Sequence, residues 1–231
     1  MQFFDRSVQV NRKNYLLLIA LIFVLSAAAG ALAADSGDLR YWATTSLNFD
    51  IEKDWAVSFE EQLRLENDTG NLFYYHTDLG LTYKGLAEWL DLGLNFRRVD
   101  QKDGSGNFRN ENRPHINLTL KSKLLGLDLS NRSRLEYRDR EVAEDSWRYR
   151  HQATVKFPIQ ISEWKLQPYM ADEIFINLGE DNVSRNRVYS GFSFKASQNL
   201  KGSLFYLWER VKISGGWQDA NIIGANLKLY F

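Results

Sequence analysis

The chain of 231 residues contains no cysteine, only three prolines and no excess of either charge, with 29 Lys+Arg set against 29 Asp+Glu. Without cysteine there can be no disulfide, thiolate metal centre, thiol nucleophile or lipid anchor on a cysteine. Balanced charge removes any bulk attraction to nucleic acid or to an anionic membrane surface, so no nucleic-acid partner is expected. Only three histidines are present, at 76, 115 and 151. They have no paired metal-ligating spacing, and Gly104-Ser105-Gly106 precedes no helical pattern that would make it a phosphate cradle. No metal, cofactor or catalytic centre is expected, and the chain is not read as an enzyme. Scarce proline and 14% aromatic residues suit a domain of uninterrupted strands rather than a disordered chain.

Long apolar runs are also nearly absent. The one that exists, residues 15–25 (YLLLIALIFVL), follows Arg6, Arg12 and Lys13 and precedes Ala31-Leu32-Ala33. A basic segment, an apolar core and a small-residue cleavage site form an export signal, which makes residues 1–33 removable and 34–231 the mature domain. Residues 15–34 are uncharged and about long enough to span a bilayer, but residues 26–34 are too small and weakly hydrophobic to make a good anchor. Loss of the signal removes three cations and Asp5, leaving a slightly acidic chain.

No second run approaches the length of a spanning helix, so entry of the mature chain into a membrane requires a closed β-barrel. The pattern has the period of strands. Ala43, Thr45, Leu47 and Phe49 alternate with Trp42, Thr44, Ser46 and Asn48, and Trp55, Val57, Phe59, Leu63 and Leu65 alternate with Ala56, Ser58, Glu60, Gln62 and Arg64. The alternation recurs to the end of the chain. Short links at residues 51–54, 85–88, 123–126, 158–162 and 197–199 interleave with longer polar ones at 100–112, 139–146, 178–186 and 213–219. Short turns on one side and longer loops on the other are the habit of outer-membrane barrels, and Trp55, Trp89, Trp164 and Phe231 fall on the short-turn side, where an aromatic girdle belongs.

A soluble sandwich or lipocalin-like barrel would turn the apolar alternate face inward, whereas a membrane barrel turns it toward lipid. The ending Gly224-Ala-Asn-Leu227-Lys-Leu229-Tyr-Phe231 favours the second, because an alternating last strand closed by Phe resembles the signal read by the bacterial outer-membrane assembly machinery. The segments Asn131-Arg-Ser-Arg-Leu-Glu-Tyr-Arg138, Trp147-Arg-Tyr-Arg-His151, Pro168-Tyr-Met-Ala-Asp-Glu-Ile-Phe175 and Arg187-Val-Tyr-Ser-Gly191 together resemble the bacterial domain-of-unknown-function family 2490 over almost the whole mature chain. That resemblance implies a barrel and supplies no activity. The expected fold is all-β, a single transmembrane antiparallel up-and-down barrel of ten to twelve strands in the bacterial outer membrane. Eleven segments can be traced, an odd count that conflicts with the even number usual for bacterial barrels. A missed strand near residues 34–40, a pairing hidden in a long loop, or an N-terminal segment threaded through the lumen would each resolve it.

The polar face carries about 17 Lys and Arg against about 9 Asp and Glu, which makes the interior cationic although the protein is neutral. Arg97, Arg132, Arg134, Arg138, Arg148, Arg150 and Arg187, with Glu136 and Glu173, are the candidate lumen residues. Two readings stay open: the charges pair and fill a narrow barrel, giving a structural role, or unpaired Arg lines a passage for small anionic solutes. A third uses the lipid-facing side. Pairing across the 139–146 loop sets Ser133 beside His151 with Asn131 on the diagonal, a set that suggests an outer-membrane lipid hydrolase or three groups that satisfy one another. Glu61 is expected to be the one mid-strand carboxylate on an apolar face, in a row with Thr45 and Thr77.

Overall fold

The computed structural model describes residues 39–66, 70–161, 165–179 and 182–231; the expected export segment and Trp164 lie outside them. Eleven strands follow in order: β1 (Leu39–Glu52), β2 (Trp55–Glu66), β3 (Asn71–Ala87), β4 (Leu90–Lys102), β5 (Phe108–Leu124), β6 (Leu127–Arg140), β7 (Ser146–Lys156), β8 (Gln167–Asn177), β9 (Asn182–Lys195), β10 (Leu200–Ile213) and β11 (Gly216–Tyr230). They form one closed barrel in which each strand pairs antiparallel with its chain neighbours.

The odd count is real, and it is resolved at the seam. An up-and-down meander with an odd number of strands brings its first and last strands together pointing the same way. β1 and β11 therefore pair parallel, from Leu39 opposite Asn221 to Asn48 opposite Tyr230. Among the described residues no further strand is hidden in a loop. Phe231 closes the seam: its N–H donates to the Asn48 carbonyl at 2.9 Å, and its ring stacks on Phe49 at 4.9 Å.

Side chains alternate as period two demands, and the sense of the alternation identifies the solvent. Leu94 and Ile116 are 61% and 57% exposed on the outer wall, whereas Glu136 and Glu173 are 1% exposed inside. Apolar residues outside and charges inside is the arrangement of a wall facing lipid. The interior also holds a small apolar cluster of Trp42, Phe205, Leu207, Ala220 and Ile222 on β1, β10 and β11, where strands are apolar on both faces. Gly224 makes room for it, because a Cβ there would meet the Phe205 ring at 2.1 Å.

The connections differ from expectation on both sides of the barrel. The stretch 213–219 is not a loop: β10 and β11 are joined by Ser214 and Gly215 alone, with Gly216 at φ 125. Its polar residues belong to strand ends that rise beyond the apolar band, where both faces are wetted. Conversely the link after β7 spans residues 157–166, longer than the five residues 103–107 between β4 and β5. The short-turn side is therefore not uniformly short.

A paired row starting at Leu39 runs through Asn221, Trp208, Val188, Asp172, Ala153, Asn131 and Leu120 to Leu90, beside the far end of β1. That stagger, roughly 14 residues per circuit, tilts the strands by about 45°. Each step along a row in the order β1, β2, β3 thus climbs about 3 Å toward the loop end.

Candidate functional site: a cationic lumen and a polar outer row

All nine candidate lumen residues project inward, and each makes at least one ion pair there. Glu173 on β8 accepts from Arg150 Nη2 at 2.7 Å and Arg132 Nη2 at 3.1 Å, with Arg187 Nη1 at 3.5 Å. Glu136 on β6 binds Arg148 and Arg150, with Arg134 Nη1 at 4.0 Å. Arg150 thereby bridges two glutamates on different strands. Arg97 donates to Asp78 Oδ2 at 2.6 Å and to Glu60 Oε1 at 3.2 Å.

The register adds residues that the sequence reading did not single out as a site. Glu111 holds Arg113 at 2.6 and 2.9 Å and Arg138 at 2.6 and 3.0 Å, both as two-pronged pairs. Glu209 takes Arg187 Nε at 2.6 Å and Arg185 Nη1 at 3.4 Å. Four carboxylates, Glu111, Glu136, Glu173 and Glu209, are thus shared among eight arginines. Sharing is the physical outcome when cations outnumber anions in a confined space, because a carboxylate has lone pairs for several donors while each guanidinium presents five N–H groups. Arg64 on β2 stands apart. Its guanidinium lies 3.8 Å from the Trp42 ring and 4.0 Å from the Tyr74 ring, and Nε donates to Gln62 Oε1 at 2.7 Å. No described carboxylate lies within ion-pair distance of it. Their even spacing on polar faces would have revealed Arg64, Arg113 and Arg185; what the sequence lacked was the cross-strand distances.

Histidines 76 and 115 belong to this network, as expected for the polar face. His76 sits between Tyr74 Oη at 3.0 Å and Glu60 Oε1 at 3.2 Å, and His115 Nδ1 donates to the Arg113 carbonyl at 3.1 Å.

Three cavities lie in series through this interior. At the loop end a chamber of about 180 Å³ is lined by Arg64, Arg113, Arg138, Arg148, Arg185 and Arg187 among others. A central chamber of about 440 Å³ shares Trp42, Arg64, Arg97, Arg150 and Arg187 with it. A vestibule of about 640 Å³ opens at the short-turn end, lined by Lys156, Lys165, Lys195, Lys201 and Lys228, with no carboxylate among its described lining residues. Those five shared residues form a belt between the first two chambers.

The outer wall carries its own polar groups. Thr45, Glu61 and Thr77 are paired in one row, as the pattern predicts, and Thr77 Oγ1 donates to Glu61 Oε1 at 2.6 Å. The row continues through Arg98 and Asn112 to Asp139, climbing from mid-wall to the rim. Glu61 is not the only such carboxylate. Asp172 on β8, between Met170 and Ile174, is also exposed on the wall and accepts from Asn186 Nδ2 at 2.7 Å. Two acidic neighbours at 172 and 173 put one on each face; the lumen takes Glu173.

Ser133 and His151 are paired directly. Asn131 Nδ2 donates to His151 Nε2 at 3.3 Å, which leaves Nδ1 to carry the ring proton toward Ser133 Oγ at 3.4 Å and Tyr149 Oη at 3.3 Å. Ser133 Oγ and Tyr149 Oη are 2.8 Å apart. In this arrangement the ring faces the serine with an N–H, which cannot accept the hydroxyl proton. Height matters as well. The tilt places Ser133 and His151 level with Glu61, midway between the girdle of Phe49, Trp55, Tyr83 and Phe231 and the opposite one of Tyr137 and Trp147. Lipid ester bonds lie at the edges of the hydrocarbon core, about 15 Å from its middle.

An apolar outer wall, a charged interior and closure without a free edge define a membrane-spanning β-barrel with a cationic lumen. The chain belongs to the family described as protein of unknown function (DUF2490), whose model matches residues 39–220. No curated protein matches it in sequence. Among solved structures the barrel is similar to LpxR from Salmonella typhimurium, with TM-score 0.50 and 13% identity over 87% of this chain and 92% of that one. It is less similar to the NanC porin, with TM-score 0.44 and 10% identity over 77% of this chain and 88% of that one. At these identities the likeness concerns the fold alone.

Proposed function

We propose that this protein is a bacterial outer-membrane barrel that provides a narrow passage for small anions. The observation that carries the reading is the series of three cavities whose two ends are lined by arginine and by lysine respectively. Rings of Arg and Lys select anions in pores by setting the local potential, and a low-dielectric wall strengthens that potential. The belt at Arg64, Arg97, Arg150 and Arg187 makes the passage tight, so its conductance is small. The lipid-hydrolase reading of Ser133 and His151 draws less support, since the polar atoms of that cluster satisfy one another far from any ester bond.

Single-channel recording of the refolded protein under a potassium chloride gradient tests this. The expected record shows small steps with a reversal potential on the anion side, and replacing Arg132 and Arg134 together by Gln moves that potential toward zero. A silent bilayer at every voltage, with correctly folded protein, overturns the passage and leaves a filled, structural barrel.

A further inference from the structure

The loop-end chamber differs from the lysine-lined vestibule in that its excess positive charge is buried, at Arg64, Arg113, Arg148 and Arg187 among others. Nine arginines line it, and Glu209 is the only carboxylate among its described lining residues. The nearby Glu111 and Glu136 are already engaged, each by more than one guanidinium. Among the described residues Arg64 brings a buried cation with no ion pair, and two buried donors of the lining, Trp42 Nε1 and Arg150 Nε, have no hydrogen-bond partner. Uncompensated positive charge in a low-dielectric enclosure is costly, and that cost is relieved by an anion that enters. The guanidinium groups are fixed in advance by their carboxylates and aromatic stacks, so little side-chain entropy is lost when one arrives.

We infer that this chamber is a binding site for a phosphate group. This deepens the passage reading and rests on it for the route by which the anion arrives. The shape of the site favours phosphate over carboxylate. Arg64, Arg113, Arg138, Arg148 and Arg185 come from five different strands around the cavity, β2, β5, β6, β7 and β9. Donors converging from all sides suit a tetrahedral dianion whose oxygens point in several directions, whereas a planar carboxylate is served by one fork. A volume of about 180 Å³ holds one such group and not a large solute.

The test is titration of the refolded barrel with inorganic phosphate, read by ³¹P line broadening and by calorimetry, in a sugar-headgroup detergent that contributes no phosphate. Acetate is the comparison anion. The variants are Arg64→Gln, which leaves no carboxylate without a partner, and Arg138→Gln, where Arg113 still holds Glu111. The expected result is saturable phosphate binding, at least tenfold tighter than acetate, weakened about tenfold by each variant. Equal affinity in parent and variants overturns the site, as does weakening by Lys201→Gln in its place. Repeating the titration in phospholipid bilayers separates the two sources of the group: unchanged affinity assigns the chamber to free phosphate solutes, and lost affinity assigns it to lipid headgroups. Phosphate binding by a barrel that is silent in bilayers keeps this site and removes the passage. Absence of phosphate binding by a conducting barrel does the reverse.

Discussion

The two ends of one lumen solve the same electrostatic problem in different ways. At the loop end the cations are arginines, tied into shared carboxylates and stacked on Trp42, Tyr74 and Phe175. At the short-turn end they are Lys156, Lys165, Lys195, Lys201 and Lys228 around a wider vestibule, and none of them takes part in a described ion pair. The difference follows from the side chains. A guanidinium is planar and weakly hydrated, so it tolerates burial and spans two acceptors; an ammonium is strongly hydrated and belongs where water enters. Rigid, buried cations and hydrated ones thus occupy opposite ends.

The largest effect is expected from removing a shared carboxylate. Glu136→Gln leaves Arg148 and Arg150 facing each other with one anion fewer. Breaking a buried network at one member costs about 3 to 5 kcal/mol. Lys201→Gln in the vestibule should stay within about 0.5 kcal/mol of the parent. Urea titration of the folded band on unheated gels measures both. Similar midpoints for the two variants would erase the distinction between the ends.

A milder exchange sharpens it. Arg150→Lys keeps the charge but cannot bridge Glu136 and Glu173, which Arg150 reaches at 3.4 and 2.7 Å. The expected loss is about 2 kcal/mol, as for one charge-assisted hydrogen bond. Lys228→Arg at the wet end should leave stability unchanged. If both exchanges are silent, the belt does not depend on the geometry of the fork.

Much of this was legible in the sequence, because period two and turn positions together determine register. Ser133 opposite His151 and the Thr45, Glu61 and Thr77 row follow from that arithmetic alone. The seam did not follow. β1 and β11 are the most distant strands in the chain, and no turn fixes their register; only closure does. Polar strand ends look like loops at residues 100–112 and 213–219 because the apolar signal stops where the wall leaves the lipid. Leu207 and Ile222 inside the barrel are hard to read for the opposite reason, since an apolar residue on the lumen face breaks the rule that identifies faces. The sharing of carboxylates lay in distances between strands, which composition does not carry.

The smallest effect lies in the connections and separates the two ends by pH. Beyond the arginine end, Asp103 caps the 103–107 loop by accepting from the backbone N–H groups of Ser105 at 2.9 Å and Asn107 at 3.0 Å. The side-chain bond from Arg109, followed by these backbone bonds, holds its carboxyl below the usual carboxylate range. Asp145 is lowered in the same way by the Arg140 N–H and the Tyr137 hydroxyl. At the lysine end the corresponding cap is neutral: Ser197 Oγ accepts from Asn199 N–H at 3.2 Å and Leu200 N–H at 3.0 Å. A carboxylate with a depressed folded value stabilises its loop above its ordinary value of about 4 and loses that contribution as pH falls through the depressed one. A hydroxyl does not titrate there. Amide resonances of Ser105 and Asn107 should therefore shift and broaden only as pH falls below about 4, the ordinary carboxylate value, while those of Asn199 and Leu200 stay put. Loosening of both ends together would mean that acid acts on the barrel as a whole, and that the carboxylates at the loop end are no more than surface decoration.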